Sequence, residues 1–591
     1  LYDITYRGKP IIADSQMGFT IRHAPPIRAN LRLVGIQESN HDGTWQPVYG
    51  ERSEIPDRYN QLTIELEEET ELHRRFGVTL RAYDEGAAFC YTIQSLHRSP
   101  DQWHIEREDT RFRFLADHTC WTTYHAQGSY DQVHLSEVRP GCERPLTIAI
   151  EGGPYVALAE ARLVDYARMK LCRDQHAPYT LLSELSSDVV GPLPLTTPWR
   201  VVMIADTPGQ LLEHNYLLLN LNDPCAIPDT SFIRPGKVIR EVTLTTQGGQ
   251  ACIDFAVRHH LQYVEFDAGW YGDEYDDASD ATTVTVDPKR SPGPLDLPEV
   301  IRYAGERGIG ILLYVNRRAL EKQLDQILPL FRTWGIKGIK YGFVNVGSQY
   351  WTTWLHAAIR KAADYRLMVD VHDEYRPTGY TRTYPNLMTQ EGIRGDEEKQ
   401  PTENTLMVLF TRMLAGAGDQ TNCYYDPRVD EYWSHAYQLA KAVCIYSPWQ
   451  FLYWYDRPAE SPIRGGAGGR VPILGEEPEL EFYDHLPTVW DDTRVIHGAV
   501  GEYATIARRH GEEWFIGTMN NSVPRSLNIP LDFLKPDVRY VAHAYTNDHA
   551  VPTRTHVRID TLSVDATTVL AANLEPNGGQ AVRIVPEQPL M

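Results

Sequence analysis

The run Ile309-Gly310-Ile311-Leu312-Leu313-Tyr314-Val315 is followed by a segment from Ala319 to Trp334, then Gly335, then a second apolar run from Ile336 to Val344. A short, continuously apolar run is the mark of a strand buried on both faces. In the segment between the runs, Leu320, Leu324, Ile327, Leu328, Phe331 and Trp334 recur at three-to-four spacing. That spacing predicts a helix with one apolar stripe, and a glycine such as Gly335 closes such a helix. The rhythm extends both ways. Upstream, Tyr263-Val264-Glu265-Phe266-Asp267-Ala268-Gly269-Trp270 ends one strand, and a helix is expected near Glu299 to Arg307. Downstream, a helix carrying Trp351, Leu355, Ile359 and Ala362 leads into Leu367-Met368-Val369-Asp370-Val371, a strand ending at His372. Strand–helix units in series imply right-handed crossovers and a parallel sheet. Residues 229–499 are long enough to close it into a (β/α)8 TIM barrel.

The flanks have a different period. Residues 1–228 contain runs such as Gln61-Leu62-Thr63-Ile64-Glu65-Leu66 and Leu146-Thr147-Ile148-Ala149-Ile150, broken at short intervals by Gly, Pro and Asp. This is the pattern of a β-sandwich. Strands return in residues 500–591 with Tyr503-Ala504-Thr505-Ile506-Ala507, Trp514-Phe515-Ile516-Gly517 and Tyr540-Val541-Ala542, which predict a small C-terminal β-sandwich domain. A chain of 591 residues exceeds one hydrophobic core, so division into several domains is expected. Its 42% hydrophobic and 10% aromatic content excludes a disordered chain. A net charge of −22 argues against nucleic acid as a partner, because phosphate backbones are held by clustered Lys and Arg. No apolar stretch is long enough for a membrane span. The eight cysteines include no CxxC pair and are expected to be mostly free, structural thiols.

In a barrel, residues just after the strands line one mouth. Here they are Asp267 and Trp270, then Asn316, Arg317 and Arg318, then Lys340 and Asn345, then His372, Asp373 and Glu374, and finally Glu391 and Glu397. Crowded carboxylates are costly unless a cation neutralises them or one stays protonated. Both remedies belong to enzyme sites. Paired carboxylates beside aromatic rings suit sugar cleavage: one acid protonates the leaving oxygen, while the other attacks or activates water. Plainer readings stand beside this one. Asp267 can cap a turn, Trp270 can be core, His372 can make a structural hydrogen bond, and Glu398 and Glu403 can begin a solvated helix. Lys340, inside an apolar strand, demands a partner. The absence of HExxH and of clustered histidines weighs against a zinc hydrolase.

His372-Asp373-Glu374-Tyr375-Arg376-Pro377-Thr378-Gly379, Arg382-Thr383-Tyr384-Pro385-Asn386-Leu387, and Glu391-Gly392 with Gly395-Asp396-Glu397 closely resemble glycoside hydrolase family 97. Phe266 to Trp270, Phe410 to Gly416 and Pro487 to Arg494 extend the resemblance over nearly the whole chain. It implies an exo-acting α-glucosidase or α-galactosidase acting on a carbohydrate substrate. It also implies an N-terminal β-super-sandwich, a (β/α)8 barrel, a C-terminal β-domain and dependence on calcium. Family members are typically exported, which implies a periplasmic or extracellular bacterial protein; the sequence itself starts at Leu1, as it would if a signal had been removed. Carried across by motif, Glu391 looks like a calcium ligand and Glu397 like the general acid and a ligand. Glu160, in Ala159-Glu160-Ala161, looks like a ligand from the first domain, and Asp373 like a further carboxylate around the ion. Asp267, Trp270, Arg317, Arg318, Lys340, Asn345, His372 and Arg376 are the expected substrate contacts.

The departures bear on stereochemistry. Retaining members place a nucleophilic Asp on the strand that reads Lys340-Tyr341-Gly342-Phe343 here, and a glycine cannot attack an anomeric carbon. Inverting members use glutamates as bases, one after the preceding strand and one after the histidine. The first region is Asn316-Arg317-Arg318, without a carboxylate; the second holds Asp373, with Glu374 adjacent. The expectation is inversion, with Glu397 as acid and Asp373 or Glu374 as base. A retaining enzyme with an unfamiliar nucleophile and an inactive carbohydrate-binding homologue are the alternatives.

Overall fold

The computed structural model describes residues 1–94, 102–462 and 472–587. Its centre is a sheet of seven parallel strands: β1 (Gly236–Glu241), β2 (Tyr263–Phe266), β3 (Gly310–Asn316), β4 (Gly338–Gly342), β5 (Met368–Val371), β6 (Leu387–Gln390) and β7 (Trp449–Leu452). β1 to β6 lie side by side in chain order, and β7 pairs with β1. Between β6 and β7 runs the extended segment 418–422. Asp419 N donates to Gln390 O at 3.0 Å, and Trp454 N donates to Asn422 O at 2.8 Å, so this segment occupies the eighth seat of the barrel.

The helices on either side of β3 and after β4 form where the sequence predicts them; the helix after β1 had no such prediction. α1 (Thr246–Arg258) follows β1, α2 (Leu297–Glu306) precedes β3, and α3 (Arg317–Trp334) and α4 (Gln349–Asp364) follow β3 and β4. α3 starts where the Asn316 side chain accepts from Arg318 N, and it ends at Gly335 with φ 87°, a left-handed position that suits glycine. Its buried residues are Ala319, Leu320, Ile327, Leu328 and Phe331. Later in the chain come α5 (Thr402–Leu409) and α6 (His435–Cys444), the second buried along its whole length.

The N-terminal region is built on a ten-stranded sheet with two three-stranded sheets beside it. Strand Tyr155–Ala161 shows how this region meets the barrel. Val156 and Leu158 join the sandwich core, whereas Ala157, Ala159 and Ala161 join the core that includes the barrel. Successive side chains of a strand point to opposite faces, so this strand is buried on both. The C-terminal region is a six-stranded antiparallel sheet with a two-stranded partner, closed around Trp514, Ile516, Ile529, Ala542 and Ile584. These are a TIM barrel and its flanking β-domains. All eight cysteines are free thiols, six of them buried. No helix among the described residues is long and apolar enough to cross a membrane.

Candidate active site

Strand parity fills the barrel with charge. On neighbouring strands Arg240 is the register partner of Glu265, and Lys340 is the partner of Asp370. One pleat further along β5 comes His372. Its Nε2 lies 2.6 Å from Asp419 Oδ2 and 3.7 Å from Asp370 Oδ2, and its Nδ1 lies 3.1 Å from Glu391 Oε2. Burial alone would lower the pKa of this ring. Glu391, Asp370 and the Asp419 hydrogen bond outweigh it and hold the ring well above its ordinary value, as an imidazolium. The ring lies within 15° of parallel to the Trp454 indole.

Besides Asp370 and Asp419, three carboxyls lie near this cation: Glu391, Glu397 and Asp373. Glu391 is fully buried, and the buried Arg412 fixes its backbone by donating from Nη2 to Glu391 O at 2.7 Å. Glu391 Oε2 accepts from Asp373 N at 2.6 Å, whereas Oε1 has no hydrogen-bond partner among the described residues. Glu397 sits on the single 3-10 turn Asp396–Glu398, and Trp454 Nε1 donates to its Oε2 at 3.1 Å. Burial, then the negative charge of Glu391, push the Glu397 carboxyl up to about 7. Asp373 takes the left-handed region with φ 71°, and its Oδ2 accepts from Phe343 N. Burial and Glu391 raise its pKa as well. Ligand-capable atoms of His372, Glu391 and Glu397 all lie within 4.8 Å of one another.

A cationic floor lies below. Lys340 Nζ is 3.0 Å from Asp267 Oδ2 and 4.0 Å from the centre of a Trp454 ring. Arg240 Nε is 3.6 Å from the same Asp267 oxygen, and its guanidinium lies 4.5 Å from Trp454. Burial opposes ionisation of Asp267, but Lys340 and Arg240 hold it well below the usual carboxylate range. Glu265 is the reverse case. Both of its oxygens lack partners, and burial and Asp267 push its pKa well above the ordinary value. Beside this floor, Tyr314 fills the space in front of Gly342: a Cβ added there would lie 2.0 Å from the tyrosine ring.

Several residues expected at the mouth have other places. Trp270 is not a sugar platform: it is fully buried, its Nε1 donates to Tyr314 O at 2.8 Å, and Phe331 and Tyr271 pack on it. Arg376 is a strut between domains, donating to Tyr130 Oη at 2.9 Å, Arg144 O at 3.2 Å and Ala126 O at 3.0 Å. Glu160 is not a ligand facing the barrel. It shares strand parity with Val156 and Leu158, so it points into the sandwich, where Arg144 Nε at 2.8 Å and Arg200 Nη1 at 2.5 Å take its two oxygens. Glu374 is exposed and turned toward Arg168, 3.9 Å away. Arg317 and Asn345 both bond Glu321 on α3, at 3.2 and 3.4 Å. Arg318 lies on the rim, its guanidinium 5.4 Å from the Tyr275 ring.

Sequence reasoning missed Asp419, Trp454, Arg240, Tyr275 and Phe343. Trp454 follows β7 and Arg240 lies within β1, so finding those two strands would have brought both in. Asp419 had no such signal, because its segment carries no strand-like run. Tyr275 and Phe343 are exposed at 51% and 43% with ring centres 5.7 Å apart. They supply the open aromatic surface that Trp270 does not.

This geometry has counterparts. Residues 1–224 match the family profile described as "Glycosyl-hydrolase 97 N-terminal", residues 235–393 match "Glycoside hydrolase 97", and residues 489–585 match "Glycosyl-hydrolase 97 C-terminal, oligomerisation". The chain belongs to glycoside hydrolase family 97. It is a glycoside hydrolase of three family domains. Among curated proteins it is 25% identical to the "Retaining alpha-galactosidase" of Bacteroides thetaiotaomicron, over 99% of this chain and 93% of that protein. It is 29% identical to the "Probable retaining alpha-galactosidase" of Streptomyces bingchenggensis, over 89% of this chain and 80% of that one. Among solved structures, a family 97 enzyme from Pseudoalteromonas sp. strain K8 in complex with acarbose superposes with a TM-score of 0.87 at 23% identity, covering 99% of this chain and 97% of the other. At that identity the likeness speaks for the fold.

Proposed function

We propose that this chain is an exo-acting α-glycosidase that releases a terminal sugar with inversion. Glu397 is the general acid and Asp373 the general base. The reading rests on the pair of carboxyls around His372. Glu397, pushed up to about 7, keeps its proton near neutral pH and can give it to the glycosidic oxygen. Asp373, held by Phe343 N, takes a proton from the attacking water. The bond from C1 to the leaving oxygen breaks as the water oxygen joins C1 from the other face. Lys340, Arg240 and His372 supply donors for sugar hydroxyls, and Tyr275 and Phe343 offer rings at the entrance. Retention through a carboxylate at position 342 is disfavoured, because the Tyr314 ring fills the space such a side chain would need.

Calcium fits this site at Glu391. Among the described residues its Oε1 is a buried carboxylate oxygen without a partner, and a Glu397 oxygen lies within 4.8 Å of a Glu391 oxygen. Glu391 would hold the ion, with the carbonyl oxygen of the neutral Glu397 carboxyl within reach, Asp373 left free as the base, and Glu160 excluded by its arginines; all three site carboxyls stay crowded there. Bound calcium would supply positive charge that offsets their repulsion.

The curated relatives are named as α-galactosidases, so α-galactosides are the first substrates to test. Those relatives are also named as retaining, and this chain is expected to part from them there. Proton NMR during hydrolysis of 4-nitrophenyl α-galactoside, followed by other aryl α-glycosides, should detect the β anomer of the freed sugar first. An α anomer appearing first would overturn inversion. No release from any of the glycosides would favour a binding protein.

A further inference from the structure

Glu397 occupies a single turn with no helix of its own, yet a general acid must be held to within a fraction of an ångström. The residue before it explains how. Asp396 is fully buried, and its carboxylate is bound on every side: by Lys441 Nζ, by Gln438 Nε2 at 2.6 Å and by Cys423 N at 3.0 Å. Its own N–H donates to Gln420 O at 3.1 Å, and its carbonyl accepts from Arg428 Nη1 at 3.0 Å. Lys441 and Gln438 lie one turn apart on α6, both buried, and Gln438 also donates to Cys423 O at 2.6 Å.

The adjacent face of α6 touches the C-terminal domain more closely than ordinary side chains permit. A Cβ added at Gly517 would lie 2.3 Å from Ala440 O, and one at Gly579 would lie 2.5 Å from Tyr437 Cα. Arg508, from the same sheet, donates to the last carbonyls of the helix, to Val443 O at 2.8 Å and to Cys444 O at 3.3 Å. The helix is therefore gripped from outside by one domain, and from inside it grips the turn that bears Glu397.

We infer that Asp396, Lys441 and Gln438 are positioning residues for Glu397, and that the C-terminal domain, by clamping α6, sets the geometry of the acid. The inference rests on Glu397 being the general acid. It extends that reading to residues that touch neither substrate nor metal, and it gives the C-terminal domain a part in catalysis. The buried cluster is costly to dismantle, because removing the lysine leaves Asp396 charged in a dry setting. Proton donation is also sensitive to small displacements of the donor.

The test uses methyl and 2,4-dinitrophenyl glycosides of whichever sugar the full chain releases fastest from an aryl-glycoside panel. A methoxide leaving group needs a proton, whereas dinitrophenolate does not. In Lys441→Met, kcat on the methyl glycoside should fall by about 100-fold, while kcat on the dinitrophenyl glycoside falls by about 3-fold or less and KM moves by less than about twofold. Lys441→Arg should restore most of the loss. Gly517→Ala, remote from the pocket, should show the same split at about 10-fold, as the displaced helix carries Lys441 with it. If Lys441→Met does not fold, Asp396→Asn, of equal shape, carries the same prediction. Equal losses on both substrates, or none, would overturn the inference. Glu397→Gln on the same pair separates the two ideas. If it lacks the split, the acid assignment fails; if it shows the split and the Lys441 and Gly517 variants do not, only the positioning inference fails.

Discussion

Glu160 in the sandwich and Glu391 in the barrel are almost equally buried, at 1% and 0% exposure, and family resemblance gave both the same role. Their partners differ. Glu160 receives two guanidinium groups and the N–H of Met169, so each oxygen is committed and the charge is neutralised within its own domain. Glu391 has one oxygen on His372 and the Asp373 N–H, while the other has no hydrogen-bond partner among the described residues. A buried carboxylate oxygen without a partner is expensive to maintain. It persists where the group keeps a proton, as at Glu265, or where something outside the chain completes it. Burial is thus shared by struts and by sites; what separates this pair is an unpaired oxygen together with neighbouring carboxyls, which Glu391 has and Glu160 lacks.

The widest separation between the two glutamates should appear in activity. Glu391→Gln removes one of the charges that hold His372 as a cation and the oxygen that calcium would use. Turnover should fall by about 1,000-fold, the scale of losing a preorganised electrostatic partner. The fold should survive, because the amide retains the shape and the hydrogen bond to Asp373 N. In parent enzyme, calcium at a hundredfold excess over its Kd should add about 2.7 kcal/mol to stability, and Glu391→Gln should abolish that gain. A variant that unfolds while its remaining folded fraction turns over at the normal rate would make Glu391 a strut too.

Glu160→Ala should do the opposite. Among the described residues Arg144 then has no carboxylate partner and Arg200 keeps Glu108, and removing one member of a buried ion network costs about 3–5 kcal/mol. Urea denaturation should record that loss, with the calcium-dependent gain in stability and the kcat of folded enzyme both preserved. If calcium instead ceased to stabilise the Glu160 variant, the contrast between the two glutamates would be void.

What the sequence made legible follows from the same distinction. Periodicity is a local property, so β3, α3, β4, α4 and β5 were readable from apolar spacing alone, within a few residues of their observed ends. Strand-end position was readable too, and it led to Asp267, Lys340, His372, Asp373, Glu391 and Glu397. Direction was not. Trp270 comes four residues after β2, where a chain turning outward would present it to sugar; here it turns back under Tyr314. Glu160 requires the parity of a strand whose two faces are both apolar, and neither face is marked in the sequence by polar alternation. Asp419 lies in an extended segment without β-branched residues at its start, held as the eighth seat only by its neighbours' N–H and C=O groups. Such residues are found through tertiary pairing, which composition does not encode at any fixed spacing.

The smallest effect is expected from the residue beside the proposed base. Asp373 and Glu374 were equal candidates in sequence, being adjacent carboxylates after one strand. Adjacent residues at a strand end diverge, and here Asp373, at φ 71°, turns its carboxylate to Phe343 N while Glu374 turns outward to a single arginine 3.9 Å away. An ion pair that loose and solvent-exposed contributes about 0–1 kcal/mol. Glu374→Gln should therefore leave kcat and KM within about twofold of the parent and shift stability by less than about 0.5 kcal/mol. Asp373→Asn, measured in parallel, should lose turnover by about 100-fold or more. Addition of azide to the Asp373 variant would sharpen the assignment, since a small anion can replace the water that the missing base no longer activates. A large loss in Glu374→Gln with little in Asp373→Asn would transfer the base to the outer carboxylate. It would also require the loop to reorganise when substrate binds, because in its present conformation Glu374 faces the N-terminal domain.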